Sequence, residues 1–289
     1  MNAGFRALHP LPVFLYYVSV MLLSILLLHP VYLAVSVTLL GAVRLVCVPK
    51  LSALRTMLLL VVIGLAASLL NPLFSHRGEH ILFYVGDQPF TGEAFLYGVT
   101  LALSMLSVVF AFLSYRHVVT SDKFLFLFSP WWPKGALITV IALRFVPLLL
   151  SRFQEVAAAQ QMKGASVLHG PLAKRAGDAM RMLQILLTWS LEEALQTADA
   201  MKSRGYGLGP RSHYAAYRMR RRDLLATAFV AALCLLCIAG RLSGLGVFTI
   251  YPAMESWRIA GLEWAQLGLF SMLVGWPLLY EGKEWLAWR

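Results

Sequence analysis

No charged residue occurs between Arg6 and Arg44, and an uncharged stretch of that length sets the class of the chain. It exceeds the roughly 20 residues that one bilayer-crossing helix needs. It is also broken at His29-Pro30, where proline has no N–H to give a helix. Two spanning helices in a tight hairpin, over residues 11–28 and 31–48, satisfy both facts. Uncharged runs at 57–74, 94–115, 224–240 and 264–280 bring the expected spans to six. Pro10 and Pro12 precede the first run and no small-x-small cleavage site precedes His29-Pro30, so it is expected to be a retained helix and not a signal peptide. With 59% hydrophobic and 13% charged residues, the chain departs from soluble domains, which carry about a quarter charged residues. The expected fold class is an all-α polytopic membrane protein with about six transmembrane helices and a long amphipathic-helical cytoplasmic coupling segment. Residues 1–115 carry helices one to four, 116–222 the cytoplasmic segment, and 223–289 helices five and six.

Charge gives the orientation. Six spans with both ends on one side place 22 of the 25 Lys and Arg residues on that side, leaving Arg77, Arg241 and Arg258 opposite. The positive-inside rule then puts both termini in the cytoplasm of a multi-pass protein of the cell membrane. The net charge of +11 thus points to membrane topology and not to nucleic acid. The run 135–150, apolar apart from Arg144, resembles a seventh span. If it crossed, twelve basic residues from Arg152 to Arg222 would lie outside. It is therefore expected on the cytoplasmic side, packed on other helices or dipping in and back.

The segment 116–222 is written mostly in helix code. Met180, Leu183, Leu187, Leu191, Ala194, Ala198 and Met201 recur at three- and four-residue spacing, the pattern of one buried face. The alanines among them suit close approach of a neighbouring helix. Lys174, Arg175, Arg181, Glu192, Glu193 and Lys202 fall mostly on other faces, where charges are usually solvated. Two pieces match at an offset of 41: Ala157-Ala158-Ala159-Gln160-Gln161-Met162-Lys163-Gly164 and Ala198-Asp199-Ala200-Met201-Lys202-Ser203-Arg204-Gly205. Each runs from alanine-rich helix to a basic residue and then a glycine, which ends helices in the left-handed conformation. A cation there is favoured by the helix dipole, so a plain helix stop explains either copy alone. Two copies suit docking of two cations into acidic clefts of a cytoplasmic partner.

With these residues in view, the chain resembles the transmembrane T component of energy-coupling factor transporters, vitamin and metal importers that include cobalt-transport permease relatives. The likeness runs from Asn71-Pro72-Leu73-Phe74-Ser75-His76-Arg77-Gly78 through Leu143-Arg144-Phe145-Val146-Pro147-Leu148 and Lys163-Gly164 to Ala200-Met201-Lys202-Ser203-Arg204-Gly205-Tyr206, and on to Pro277, Glu281 and Glu284. The first two spans match in general character only. The resemblance implies a scaffold joining two cytoplasmic ABC ATPase subunits to a separate substrate-binding membrane subunit, for uptake of a vitamin or metal ion. It implies no cofactor and no catalytic residue. It also implies ATPase-coupling roles for Met162, Lys163 and Gly164 and for Ser203, Arg204 and Gly205, because the family carries two Ala-Arg-Gly-like signatures that enter grooves of the ATPases. Lys163 replaces the first arginine, which keeps the charge but loses the planar fork for a carboxylate. Met162 and Ser203 replace alanines.

The chain has no G-x-x-x-x-G-K-[ST] phosphate loop, so any motor is another subunit. His76 and His80 flank Gly78 after Asn71-Pro72 and read as a polar external loop, not a metal site. Cys234-Leu235-Leu236-Cys237 has redox spacing, but it lies in an apolar span and lacks the electropositive setting of a reactive thiolate. Arg44 and Arg144 are expected to snorkel to inner headgroups or pair within the bundle. Arg218, Arg220, Arg221 and Arg222 read as an anchor near anionic lipid. Two other classes have less support. An intramembrane transferase wants acidic residues near the bilayer for Mg²⁺ and diphosphate, and the six uncharged cores have none. A permease binding substrate in its own spans wants polar groups or broken helices at midplane, where the cores offer mainly Ser, Thr and Gly.

Overall fold

The computed structural model describes residues 5, 8–47, 50–74, 81–85, 88–163, 171–209, 217, 219–246, 248–249 and 261–287. In chain order the elements are α1 (Pro10–Leu26), α2 (Pro30–Cys47), α3 (Lys50–Phe74), β1 (Ile81–Val85), β2 (Gln88–Thr91), α4 (Gly92–Val118), α5 (Ser121–Phe128), α6 (Pro133–Met162), α7 (Leu172–Ser203), α8 (Arg221–Leu242) and α9 (Leu262–Ala287). They form two compact units, residues 1–124 with 217–289, and residues 125–216.

The first unit is the bundle of α1 to α4, α8 and α9, one helix for each of the six expected spans. Charge-free runs mark only the apolar middle of a helix, so each helix outreaches its run at one or both ends. The largest addition is to α9, which runs from Leu262 to Ala287; α3 starts at Lys50 and takes in Arg55. The α1–α2 hairpin turns where proline required it: Leu27 N–H still bonds back to the Leu23 carbonyl at 2.9 Å, and His29 Nδ1 accepts from the Val31 N–H at 3.3 Å. Among the described residues four helices are long and apolar enough to cross a membrane, over Leu51–Pro72, Gly92–Val118, Pro133–Met162 and Arg221–Leu242, while Pro10–Leu26 and Pro30–Leu45 are shorter apolar helices.

In lipid the hydrophobic effect gives helices little reason to associate, so close packing and satisfied polar groups must hold the bundle. Both are present. Tyr16, Tyr17 and Phe5 are fully buried and meet edge to face with ring centroids 4.9 to 6.3 Å apart. Tyr16 donates to the Val274 carbonyl at 2.8 Å, Tyr32 to the Glu263 carbonyl at 2.8 Å, and Ser104 to the Ser24 carbonyl at 2.8 Å. The α3–α4 contact depends on Gly98, where an added Cβ would stand 2.8 Å from the Ser68 carbonyl oxygen. One turn away, Asn71 Nδ2 donates to the Ala94 carbonyl at 2.7 Å.

Three features depart from the sequence reading. A two-stranded antiparallel hairpin pairs Phe83 with Phe90 and Val85 with Gln88. Its Ile-Leu-Phe-Tyr-Val run has strand composition, and the all-α class stands around it. Arg44 is only 4% exposed, and its Nε and Nη1 meet no hydrogen-bond partner among the described residues. It therefore does not snorkel to headgroups, because its position in the last turn of α2 faces the packed interior. Arg144 is exposed. Thirdly, 135–150 does not dip in and back: it belongs to α6, one continuous helix of 30 residues.

Candidate coupling site

In the second unit α6 packs on α7. Phe145 of α6 stacks on Trp189 of α7 with centroids 5.8 Å apart and planes 13° from parallel. Further along, Gln160 of α6 shares a cleft of about 570 Å³ with Arg181, Gln184, Ile185, Thr188, Trp189 and Glu192 of α7. Phe145 and Gln160 of α6 thus both lie near Trp189 of α7. The guanidinium carbon of Arg152 lies 5.2 Å from the centre of the Trp189 ring, and its Nη1 bonds Glu155 Oε2 at 2.6 Å.

Each basic signature stands at a helix C-terminus. Met162 is the last residue of α6, and Lys163 caps it with its N–H on the Gln160 carbonyl at 3.0 Å. Both side chains are exposed. Gly164 lies outside the described residues. At the end of α7, Ser203 is the last helical residue and donates to the Ala200 carbonyl at 3.0 Å, and Arg204 is the cap. Gly205 follows with φ +79. The Gly205 N–H reaches the Lys202 carbonyl at 2.9 Å and the Tyr206 N–H reaches the Met201 carbonyl at 3.0 Å. These two bonds are the double closure of a Schellman stop, which needs the left-handed residue that glycine supplies without a Cβ clash. Arg204 is exposed at the negative end of the α7 dipole.

Neither signature lies at the contact between the two helices: at about 1.5 Å per residue Arg204 sits about 22 Å from Trp189 along α7, and Lys163 about 17 Å beyond Arg152 along α6.

The face of α7 expected to be buried is uncovered. Met180 is 67% exposed, Leu183 50%, Leu187 56% and Leu191 68%, and Ala194 and Ala198 are exposed too, while Met201 is half-buried. The stripe that is covered runs through Ala179, Met182, Leu186, Trp189, Glu193 and Thr197, about 100° around the helix. Periodicity shows that a face avoids water but not what shields it, and within this unit α6 lies on the neighbouring face. Lys174, Arg181, Glu192 and Lys202 are exposed as expected, whereas Arg175 and Glu193 are half-buried. The Phe145, Trp189 and Arg152 group went unnoticed in the sequence. Its only signal was that Trp189 is the one aromatic of α7, while α6 carries Phe145 and Phe153.

Elsewhere, Arg220, Arg221 and Arg222 are exposed at the start of α8, where the Arg220 N–H donates to Asp223 Oδ2 at 3.1 Å. Arg218, His76 and His80 lie outside the described residues. Cys234 is half-buried and Cys237 buried within α8. No group of three or more His, Cys, Asp or Glu residues is placed to hold a metal ion among the described residues.

A family model described as cobalt transport protein, CbiQ, matches residues 7–214. The chain belongs to this family. It is a multi-pass membrane protein, and its resemblance to the T components extends to curated relatives. The energy-coupling factor transporter transmembrane protein EcfT of Lactobacillus helveticus is 39% identical over 95 residues, which cover 32% of this chain and 34% of that protein. EcfT of Thermosediminibacter oceani is 28% identical over 183 residues, 60% of this chain and 68% of the relative. A putative ABC transporter ATP-binding protein of Bifidobacterium longum is 26% identical over 209 residues, 68% of this chain but 26% of its own length. The matched stretch therefore spans about a third of the first relative and a quarter of the last.

Proposed function

We propose that the chain is the transmembrane coupling subunit of an energy-coupling factor importer, which links two cytoplasmic ATPases to a separate substrate-binding membrane subunit and takes up a vitamin or metal ion. The observation that carries this reading is the placement of Lys163 and Arg204. Two exposed cations cap the C-termini of the packed helices α6 and α7, one for each member of an ATPase pair. Closure of that pair on ATP would draw the two ends together, and α6 and α7 would carry the motion to the membrane bundle. The Bifidobacterium longum relative supports the association: it is named for ATP binding, and the share it has in common with this chain is only 26% of its length. Both termini and the α6–α7 unit face the cytoplasm in this reading, which rests on the 22 basic residues of that side and the positive-inside rule.

The test is ATPase retention on purification, with ATP hydrolysis in the reconstituted complex. Arg204→Ala removes one partner of an interfacial charge pair, which costs roughly 2 to 5 kcal/mol, while Arg181→Ala removes a charge whose loss at an interface rim costs far less. Arg181 is exposed at 74% of its side chain and lies 4.0 Å from Asp178. Loss of the ATPases with Arg204→Ala alone is the expected result. Equal effects of the two substitutions would overturn the docking assignment.

A further inference from the structure

Trp189 spans a weak point in α6. Pro147 lies inside that helix, and its missing N–H leaves the Leu143 carbonyl without a helix partner. A proline there makes a kink or a hinge, which does not suit a helix that must carry force between its ends. Trp189 touches α6 on both sides of the proline. Phe145, two residues before it, stacks on the ring at 5.8 Å and 13°. Arg152, five residues after it, sets its guanidinium 5.2 Å from the same ring, and Glu155 holds that guanidinium in place at 2.6 Å. Stacking and cation–π contact both fix orientation as well as distance. One rigid ring on α7 is therefore fastened to both halves of α6.

We propose that Trp189 is a positioning residue that splints α6 across Pro147, so that the halves before and after the proline move as one lever and displacement of the Lys163 end reaches the other end undiminished. This rests on the coupling role proposed above. The ring itself need touch no partner subunit. If the splint is lost, α6 bends at Pro147, the ATPases stay bound and hydrolyse ATP, and transport per ATP falls.

The experiment pairs Trp189→Ala with Pro147→Ala. The second substitution restores the helix bond to Leu143 and makes a splint unnecessary, whereas it offers nothing to a Trp189 that merely contacts a partner or fills space. Nitroxide labels at Thr139→Cys and Ala158→Cys, with Cys47, Cys234 and Cys237 changed to serine, lie about 28 Å apart along a straight helix, and their distance distribution is read by pulsed electron resonance in the assembled complex. A narrow distribution is expected for wild type and for Pro147→Ala, a broad or shifted one for Trp189→Ala, and a narrow one again for the double variant. Transport per ATP hydrolysed should fall several-fold with Trp189→Ala, recover in the double variant, and stay near wild type with Trp189→Phe, which keeps a stacking ring. An unchanged distribution in Trp189→Ala, or a double variant that remains uncoupled, overturns the proposal. Should Arg204→Ala leave the ATPases bound, the coupling role fails, and the distance distributions still decide separately whether Trp189 braces α6.

Discussion

Gly205 provides a perturbation whose size follows from geometry alone. At φ +79 any L-residue with a Cβ meets the left-handed penalty of roughly 1 to 2 kcal/mol. Crowding adds nothing, because a Cβ built there has Leu208 Cδ1 as its nearest neighbour at 3.8 Å, an ordinary contact. Gly205→Ala should therefore loosen the stop of α7 by that amount, and Gly205→Asn by less, since asparagine tolerates the left-handed region. Gly177 is the matched control. It lies inside the same helix with nothing within 4 Å of an added Cβ, so Gly177→Ala should stabilise α7 by roughly 1 kcal/mol through helix propensity. The assay is hydrogen exchange of peptides covering 201–208, whose protection comes from the Gly205 and Tyr206 N–H bonds to Lys202 and Met201. When exchange reports local opening, 1 to 2 kcal/mol speeds it by roughly 5- to 30-fold. Gly205→Ala should show that acceleration and Gly177→Ala should not. Equal exchange in both variants would refute the assignment of the stop to a strained position, and with it the reason Arg204 is held at a fixed helix end.

Lys163→Arg should preserve or tighten ATPase binding, since the guanidinium restores a bidentate option at the same charge, and Lys163→Ala should weaken it less than Arg204→Ala does. Affinity for the purified ATPases across a salt series decides; wild-type affinity in Lys163→Ala would reduce the first signature to a helix stop. Tyr16→Phe removes the hydroxyl that donates to the Val274 carbonyl at 2.8 Å. About 1 kcal/mol of stability should be lost, seen as a lower melting temperature in detergent, and no change would mean that water or another donor serves that carbonyl. A cysteine at Gly170 should stay unlabelled by an impermeant thiol reagent in intact cells, and labelling there would reverse the topology.

What was legible in the sequence follows from what the bilayer demands locally. A helix must be uncharged across the hydrocarbon core, so charge-free runs located all six helices of the bundle, and His29-Pro30 located the first turn. Helix ends that reach into headgroups carry charge, which is why the start of α3 at Lys50 escaped notice. The stops at Lys163 and Arg204 were legible because a basic residue before glycine is a local signal. Relations between distant segments were not. The heptad-like stripe of α7 named residues that avoid water and left open what covers them, so the face assigned to burial is the exposed one. Phe145 and Trp189 are 44 positions apart, and no periodicity links them. Arg44 looked like other arginines at helix ends. Only the packing of α2 shows it turned inward.

The central claim, that this chain is one subunit of a machine driven by two others, is tested most directly by native mass spectrometry of the tagged chain purified from its own cells in mild detergent. The account predicts a complex whose mass exceeds the 32.1 kDa of this chain by two ATP-binding subunits and one further membrane protein. It also predicts that the ATP-binding subunits are lost when Arg204 is alanine. Recovery of the chain alone or as copies of itself, with transport intact in the same membranes, would contradict it.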